Sequence, residues 1–515
     1  MTKSLKLNFL IILILGIISS FSLPPYNLFI LNFISYTFFF IFIFEGIRIN
    51  HTFLNLFLYG WFFGFGYFLS SLYWISISLT FDDNFKFLIP LSISVIPAFL
   101  AIFYGFAIAI LKFLVNKKKL ISSIFIFSLS LGIFEFVRGK ILSGFPWNLI
   151  AYSFSEQLEF IQINSVIGVY GFNLFCLTLF CAPALFILKK SRKEIFVLFF
   201  IILTGIANLI YGYLNFDPKK NFDKKKNINI VSVSTDVSLE RFYSSKVDEY
   251  SIIENLINLS DVKRFFDKKT FFVWPEGVLP LTNINNIKFY QELFEQNFDD
   301  DHYILIGLNR EETNNLNKSF YNSLAIIDNN ANLLSYYDKK KLVPFGEFLP
   351  LENVLSKLGL KSLTNNYQSY SKGQNKKSLL NVNNIDLNFL ATICYEIIYS
   401  GELNSKSDYD LIINISEDGW FGNSIGPHQH FAHSIFRSIE NGRTVIRSAN
   451  NGISAIIEPN GKIKSKIDID DTGSIFTNEI NMRDTIYSNY RNKTFFLLIL
   501  IYIFFIFSFN KTKNE

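Results

Sequence analysis

The chain has 515 residues, more than one compact domain usually holds, so at least two are expected. Half of the residues are hydrophobic and the mean hydropathy is +0.28, which excludes an ordinary soluble globular class and points to a membrane protein. The net charge of +5 is small, and no basic stripe interleaved with aromatics marks a nucleic-acid partner. The 60 Phe accompany abundant Ile, Asn and Lys, a bias too general to give any single aromatic stripe functional weight.

Apolar runs of about 20 residues, enough to cross a bilayer, occur at 5–23, 27–47, 53–79, 88–115, 120–138, 163–188 and 195–214, with an eighth at 495–509. After the first run, Leu23-Pro24-Pro25-Tyr26 leads into another apolar run instead of a small-residue cleavage site, so this run reads as a span. Lys3 and Lys6, Arg48, Lys112 and Lys117–Lys119, Lys189–Lys193, and Lys511 and Lys513 fall in alternate loops. The other loops carry Asp82, Asp83, Glu156 and Glu159, with Arg138 and Lys140 as exceptions. Lysine and arginine collect on the cytoplasmic side, so both termini are expected inside and 215–490 outside; large translocated domains tolerate a basic stretch such as 219–226. Glu135 and Arg138, three apart at a span end, can pair on one helical face and read as snorkelling interfacial charges.

The composition changes at 217. Short β-rich runs appear at Ile228–Ser234, Phe271–Trp274, Tyr303–Leu308, Asn322–Ile327, Phe389–Ile393, Leu411–Ile415 and Ile453–Ile457, alternating with helical stretches such as 246–266 and 428–446. Nearly continuous apolar strands alternating with helices predict a layered α/β domain. The Asn/Ser/Lys-rich segment 361–386 reads as a mobile excursion with little to bury. The domains are therefore a seven-span membrane domain over 1–216, an extracytoplasmic α/β domain over 217–490, and a final span with a cytoplasmic tail over 491–515.

Four patterns in the α/β domain place polar residues at strand ends, where layered folds present functional groups: Trp274-Pro275-Glu276-Gly277, Lys339 through Glu347, Ile393-Cys394-Tyr395-Glu396, and Asn414 through Gly422. Cys176 and Cys181 lie inside an apolar run without zinc or disulfide spacing; Cys394 stands alone, either a buried filler or a reactive thiol. A nucleophilic Cys394 needs a base and a cation nearby, for which Glu276 and Lys339 are candidates. His428, His430 and His433 are spaced by two and three residues and do not share one helical face, so no metal site is expected.

The ordered Glu276, Lys339…Pro344-Phe345-Gly346-Glu347 and Cys394-Tyr395-Glu396 signatures resemble the nitrilase superfamily over most of 228–460. With seven spans before this domain and one after, the chain resembles the membrane-embedded branch, the apolipoprotein N-acyltransferase family. Gly144-Phe145-Pro146-Trp147, Gly168-Val169-Tyr170-Gly171, Trp420-Phe421-Gly422 followed by Gly426-Pro427-His428-Gln429-His430, and Arg447-Ser448-Ala449-Asn450-Asn451-Gly452 agree. The resemblance implies a four-layer α-β-β-α sandwich and a Glu276, Lys339, Cys394 triad. It implies supporting roles for Glu347, Tyr395 and Glu396, and a pocket or lid built with Phe242, Trp420 and Phe421. It further implies transfer of an acyl chain from a phospholipid donor, through a Cys394 thioester, to the α-amino group of a diacylglyceryl-cysteine lipoprotein, without cofactor, in a bacterial inner membrane; a monomer is adequate for this, since both substrates diffuse to it in the plane of the bilayer. Gly277 stands where Thr or Ser usually follows the glutamate, and Phe242 where tryptophan is common; these departures concern lid packing and acyl selectivity. Two alternatives remain open: a membrane-tethered carbon–nitrogen hydrolase, and a transporter or scaffold carrying an inactive domain of this fold.

Overall fold

The computed structural model describes residues 3–511 apart from 190, 217–221, 245, 315–316, 351, 356, 358–368, 375–378 and 403–407. The chain divides into two compact units, Met1–Asp217 with Thr485–Glu515, and Pro218–Asp484.

The first unit is helical. Among the described residues, seven helices are long and apolar enough to cross a membrane: Ile30–Arg48, Phe53–Ser71, Asp83–Leu114, Leu120–Arg138, Asn164–Ile187, Arg192–Asn215 and Lys493–Lys511. The first apolar helix is shorter, Leu5–Ser20. Its helix ends where the Ser20 and Ser22 hydroxyls bond the carbonyls of Ile17 and Ser19, short of the expected 23. The expected span 53–79 also ends early, at Ser71. Tyr73–Thr80 is a 3-10 helix in which Ser76, Ser78 and Thr80 each donate to the carbonyl three residues back, a bond that favours the tighter winding. Small residues let these helices close up: a Cβ on Gly16 would lie 2.1 Å from the Phe63 carbonyl oxygen.

Glu135 and Arg138 do not snorkel out to solvent. Both are buried, and they do not pair with each other. Glu135 accepts from Tyr104 Oη (2.7 Å) and from Asn173 Nδ2, while Arg138 Nη1 donates to Phe145 O and its guanidinium lies 5.1 Å from the Phe68 ring centroid. Neighbouring helices supply uncharged donors to the carboxylate, so it is satisfied without a direct bond to Arg138.

The second unit contains two six-stranded sheets. The first has the order β12-β1-β2-β3-β4-β5, and the second β11-β10-β9-β8-β7-β6. The strands are β1 (Asp223–Ser234), β2 (Thr270–Val273), β3 (His302–Asn314), β4 (Asn317–Asp328), β5 (Leu333–Asp338), β6 (Leu379–Asn381), β7 (Asn388–Ile393), β8 (Leu411–Glu417), β9 (Thr444–Asn450), β10 (Ser454–Ile457), β11 (Ile463–Ile467) and β12 (Gly473–Met482). β1, β2 and β3 run parallel, as do β7, β8 and β9, and antiparallel strands flank them. The sheets meet face to face: Ser232 Oγ on β1 donates to Arg447 O on β9, and Ser448 Oγ returns a bond to Val233 O.

Alternation along each strand then decides which helices it meets. Val231, Phe272, Ile304 and Ala325 point away from the other sheet and pack on Ile253 and Leu256 of helix Glu249–Leu259 and Phe294 of helix Gln291–Asn297. Helix Gly426–Asn441 covers the second sheet at β9 and β10. The result is the expected α-β-β-α sandwich. The helical stretch expected over 428–446 stops at Asn441, because Gly442 takes a left-handed C-terminal conformation (φ 62°) and β-branched Thr444-Val445-Ile446 then enters β9. The helix expected over 246–266 is broken at Asp261 (φ 49°). Of the 361–386 excursion, 361–368 and 375–378 lie outside the described residues; Leu379–Asn381 forms β6.

Candidate active site

Three strand ends of the second unit converge. β2 ends at Val273, and the buried Trp274 anchors the turn that follows, its Nε1 donating to Ser260 Oγ at 3.0 Å. Two residues later stands Glu276. Its close approach to β3 requires the glycine at 307, where a Cβ would lie 2.8 Å from Glu276 Cα and 2.9 Å from Ile415 Cδ1. Glu276 Oε2 accepts from the Glu417 backbone N–H at 3.0 Å.

Lys339 follows β5 and is buried. Its backbone N–H donates to Asn322 O (2.8 Å), and Nζ reaches Glu347 Oε1 (2.9 Å) and Glu276 Oε1 (3.3 Å). Burial opposes the ammonium charge, but Glu276 and Glu347 outweigh it and hold the lysine well above its ordinary value. Glu347 is fixed in turn by the Val343 N–H on Oε2 (2.8 Å).

Cys394 follows β7 and opens a 3-10 turn, Cys394–Ile398, in a left-handed conformation (φ 48°) that costs a non-glycine residue roughly 1–3 kcal/mol and marks over-determined sites. Burial pushes its thiol up, Glu276 adds to the shift and Lys339 opposes it. The sulfur therefore rests as a thiol, and the two charged groups acting most strongly on it are those two. Glu396 ties the cysteine turn to the lysine run: Oε2 accepts from Ile393 N–H (2.9 Å), and Oε1 from Tyr337 Oη, Lys340 N–H (both 2.8 Å) and Lys341 N–H (3.1 Å). It grips the backbone beside Lys339 and not the ammonium.

A buried network lies behind Cys394. Asp418 Oδ2 accepts from Arg447 Nη2 (2.6 Å), which also lies 3.1 Å from His430 Nδ1; His430 Nε2 sits 3.2 Å from Cys394 O. His430 Nδ1 also lies 2.9 Å from Asp418 Oδ1, and burial holds the ring below the usual histidine value. Cys394, Asp418 and His430 bring potential ligand atoms within 4.8 Å of one another. The Arg447 guanidinium already supplies the positive charge there, and Asp418 Oδ1 is held by Ser416 Oγ (2.6 Å), so the cluster does not suit a metal ion.

Phe242 and Trp420 stack with centroids 5.4 Å apart, and Phe421 meets His430 edge-on at 5.5 Å. Beneath Phe242 lies the buried Arg241, which donates from Nε to Gly277 O (2.9 Å) and pairs through Nη2 with Glu417. The packing accounts for glycine at 277: its φ is +64° and a Cβ would meet Phe242 Cζ at 3.0 Å.

The sequence patterns named Glu276, Lys339, Glu347, Cys394, Tyr395 and Glu396, and the structure gathers them. They did not single out Asn322, whose Nδ2 donates to both Glu276 Oε1 (2.7 Å) and Glu347 Oε1 (2.9 Å). Nor did they single out the Arg241–Glu417 pair, or Tyr370, which lies in the segment expected to be mobile. Tyr370 instead donates its hydroxyl to Asn309 Oδ1 (2.7 Å) and its backbone N–H to Glu347 O (2.9 Å). The only sequence signals were polar residues opening an apolar strand and one of two tyrosines in a polar stretch.

Residues 15–182 match the family model described as apolipoprotein N-acyltransferase N-terminal domain, and residues 273–487 match carbon-nitrogen hydrolase. The chain is 31% identical to an apolipoprotein N-acyltransferase of Rhizobium rhizogenes over 95% of this chain and 93% of the relative. It is 31% identical to that of Rhizobium etli (94% and 93%) and 29% identical to that of Agrobacterium fabrum (97% and 96%). Among solved structures, an amidase of the nitrilase superfamily from Nesterenkonia covers 53% of this chain and 97% of its own, with 11% identity and a TM-score of 0.36. Nit3 of Saccharomyces cerevisiae, another member of that superfamily, covers 52% and 94%, with 16% identity and a TM-score of 0.35.

Proposed function

The chain belongs to the apolipoprotein N-acyltransferase family, and on that premise we propose that Glu276, Lys339 and Cys394 carry acyl transfer from a membrane phospholipid to the N-terminal amine of a diacylated lipoprotein. The observation that carries the reading is the convergence of a buried thiol with one carboxylate and one ammonium at three strand ends.

Because the Cys394 thiol is pushed up, a resting thiolate is not the nucleophile; proton removal accompanies attack. Glu276 takes the Sγ proton as sulfur adds to the phospholipid ester carbonyl. The oxyanion forms beside Lys339 Nζ and the Tyr395 backbone N–H, and a preorganised donor of this kind is worth about 2.7–4 kcal/mol. Collapse breaks the ester C–O bond. Glu276 returns its proton to the departing lysophospholipid oxygen, and the acyl chain stays on Cys394 as a thioester. The lipoprotein amine then attacks the thioester, Glu276 accepts the amine proton, and the thiol is regenerated as the amide forms. Glu347 and Glu396 hold Lys339 and its neighbouring backbone in place. Phe242, Trp420 and Phe421 shield the thioester from water, which would otherwise compete with the amine.

The membrane domain over 1–216 and the span after 490 keep both lipid substrates in the bilayer plane. The charge pattern supports cytoplasmic termini and a periplasmic catalytic domain in a bacterial inner membrane. A monomer suffices for this chemistry, and no cofactor enters it. The test is incubation of the full-length protein with phosphatidylethanolamine vesicles and a synthetic diacylated lipopeptide. The expected product is a triacylated peptide, formed with ping-pong kinetics and absent with Glu276→Gln. Free fatty acid as the only product would instead establish the carbon–nitrogen-hydrolase-like reading, in which water is the acceptor.

A further inference from the structure

We propose that Asn322 is a positioning residue that lets the two carboxylates Glu276 and Glu347 face a single lysine while Glu276 stays ionised and able to accept a proton. The inference rests on the catalytic reading above and adds a residue to it.

Four atoms form a closed ring of alternating donors and acceptors. Asn322 Nδ2 lies 2.7 Å from Glu276 Oε1 and 2.9 Å from Glu347 Oε1; Lys339 Nζ lies 3.3 Å and 2.9 Å from the same two oxygens. An amide nitrogen carries two hydrogens, one for each carboxylate, and an ammonium carries three, so the ring leaves one lysine hydrogen for the substrate oxyanion. Two carboxylates sharing a site ordinarily hold one proton between them, because like charges at close range cannot both ionise. A proton held there would sit on an oxygen that must instead take the Cys394 proton. Lys339 offsets one of the two negative charges. The amide stabilises the second through hydrogen bonds without a further positive charge, which would have weakened the base.

Among the described residues, the other groups close to the ring are engaged elsewhere. The Tyr370 hydroxyl, on segment 369–374, donates to Asn309 Oδ1. Glu417 touches Glu276 only through its backbone N–H, and its carboxylate is held by Arg241 and Asn450. Asp418, beside Cys394, is held by Arg447 and His430, and Glu396 accepts from backbone N–H groups and Tyr337. Asn322 is itself placed rigidly. It sits on β4 opposite Asn309 of β3, and its carbonyl accepts the Lys339 backbone N–H. One residue therefore fixes the lysine through its backbone and both of the lysine's partners through its side chain.

The test is the pH dependence of single-turnover acylation of Cys394 in the full-length protein in detergent, with a short p-nitrophenyl ester as donor, for wild type, Asn322→Leu, Asn322→Ser and Asn322→Gln. Loss of the amide donors destabilises the ionised carboxylates, so the acid limb of the Leu profile is expected to move upward by about one to two pH units, the worth of a hydrogen bond to a charged group. At pH values below the wild-type limb the Leu variant should be slower by about tenfold to a hundredfold and should recover as pH rises, while Gln, which keeps the amide, restores part of the rate. A uniform fall at every pH, or no change, in variants whose thermal transition matches wild type would overturn the inference; if Leu does not fold, Ser is read by the same criterion. Failure of the wild type itself to acylate would count against the catalytic reading and not against Asn322 alone.

Discussion

Replacing Arg241 with methionine isolates the contribution of one buried ion pair to the site. The guanidinium donates to Gly277 O, Val237 O, Ser238 O and Glu417, and the side chains of the pair are 3% and 2% exposed. Breaking a buried pair from one side leaves an uncompensated charge and costs about 3–5 kcal/mol. Glu417 would keep Asn450 Nδ2 (2.6 Å) and the Gly419 N–H (2.9 Å), so the lower end applies, about 3 kcal/mol. For a unit of this size that is a fall of about 6–12 °C in the thermal transition. Burial already pushes the Glu417 carboxyl up against the pull of Arg241. Without Arg241 its folded value rises further above the unfolded one, so the native state binds the extra proton and the variant loses stability as pH rises through that value. The defect should therefore be smaller at pH 5 than at pH 8, and adding Glu417→Gln should recover part of it. Thermal unfolding of the solubilised protein by circular dichroism reads both quantities. A transition within about 2 °C of wild type, or a double variant whose losses simply add, would refute the view that these groups are coupled.

Other consequences are open to measurement. Gly307→Ala forces a methyl against Glu276 Cα and Ile415 Cδ1, so Cys394 acylation should fall by at least about tenfold through displaced geometry; an unchanged single-turnover rate would show that β3 yields freely. Iodoacetamide should label Cys394 ahead of the fully buried Cys176 and Cys181, and because burial raises the Cys394 thiol the labelling rate should climb about tenfold per pH unit from pH 6 to 9. A plateau below pH 8, followed by peptide mapping, would contradict the resting thiol. Burial lowers His430 and His433, so the unfolded chain binds more protons than the folded one once pH falls through about 6.5. The thermal transition of the second unit should drop between pH 7 and 5, and His433→Gln should flatten that drop; an identical slope in the variant would assign the acid sensitivity elsewhere.

Hydropathy placed the membrane helices within a few residues because a span must satisfy its backbone internally over a fixed thickness. Exceptions came where hydroxyls compete for carbonyls, as at Ser76 and Ser78. The seven expected strand positions are occupied, but β5, β6, β9, β11 and β12 did not stand out from the pattern. β11, with Lys464 and Lys466, and β5 are partly exposed edge or flanking strands without a continuous apolar run, and β9 was absorbed into a helical reading that Gly442 ends. Glu276, Lys339 and Cys394 were legible because each sits in its own short signature. Asn322, Arg241 and Tyr370 reach the site from positions with no chemical pattern around them, and only pairing of β3 with β4 or a return of the chain brings them in. Glu135 and Arg138 misled because charges at a span end suggest snorkelling, whereas partners from distant parts of the chain bury both.

The most direct test is intact mass spectrometry of the purified protein after incubation with phospholipid vesicles, beside Cys394→Ser. A gain of one fatty acyl chain on the wild type, released by neutral hydroxylamine and transferred to a diacylated lipopeptide, is the expected result. No gain on a folded, lipid-supplied protein, or the same hydroxylamine-labile gain on the serine variant, would contradict a thioester at Cys394.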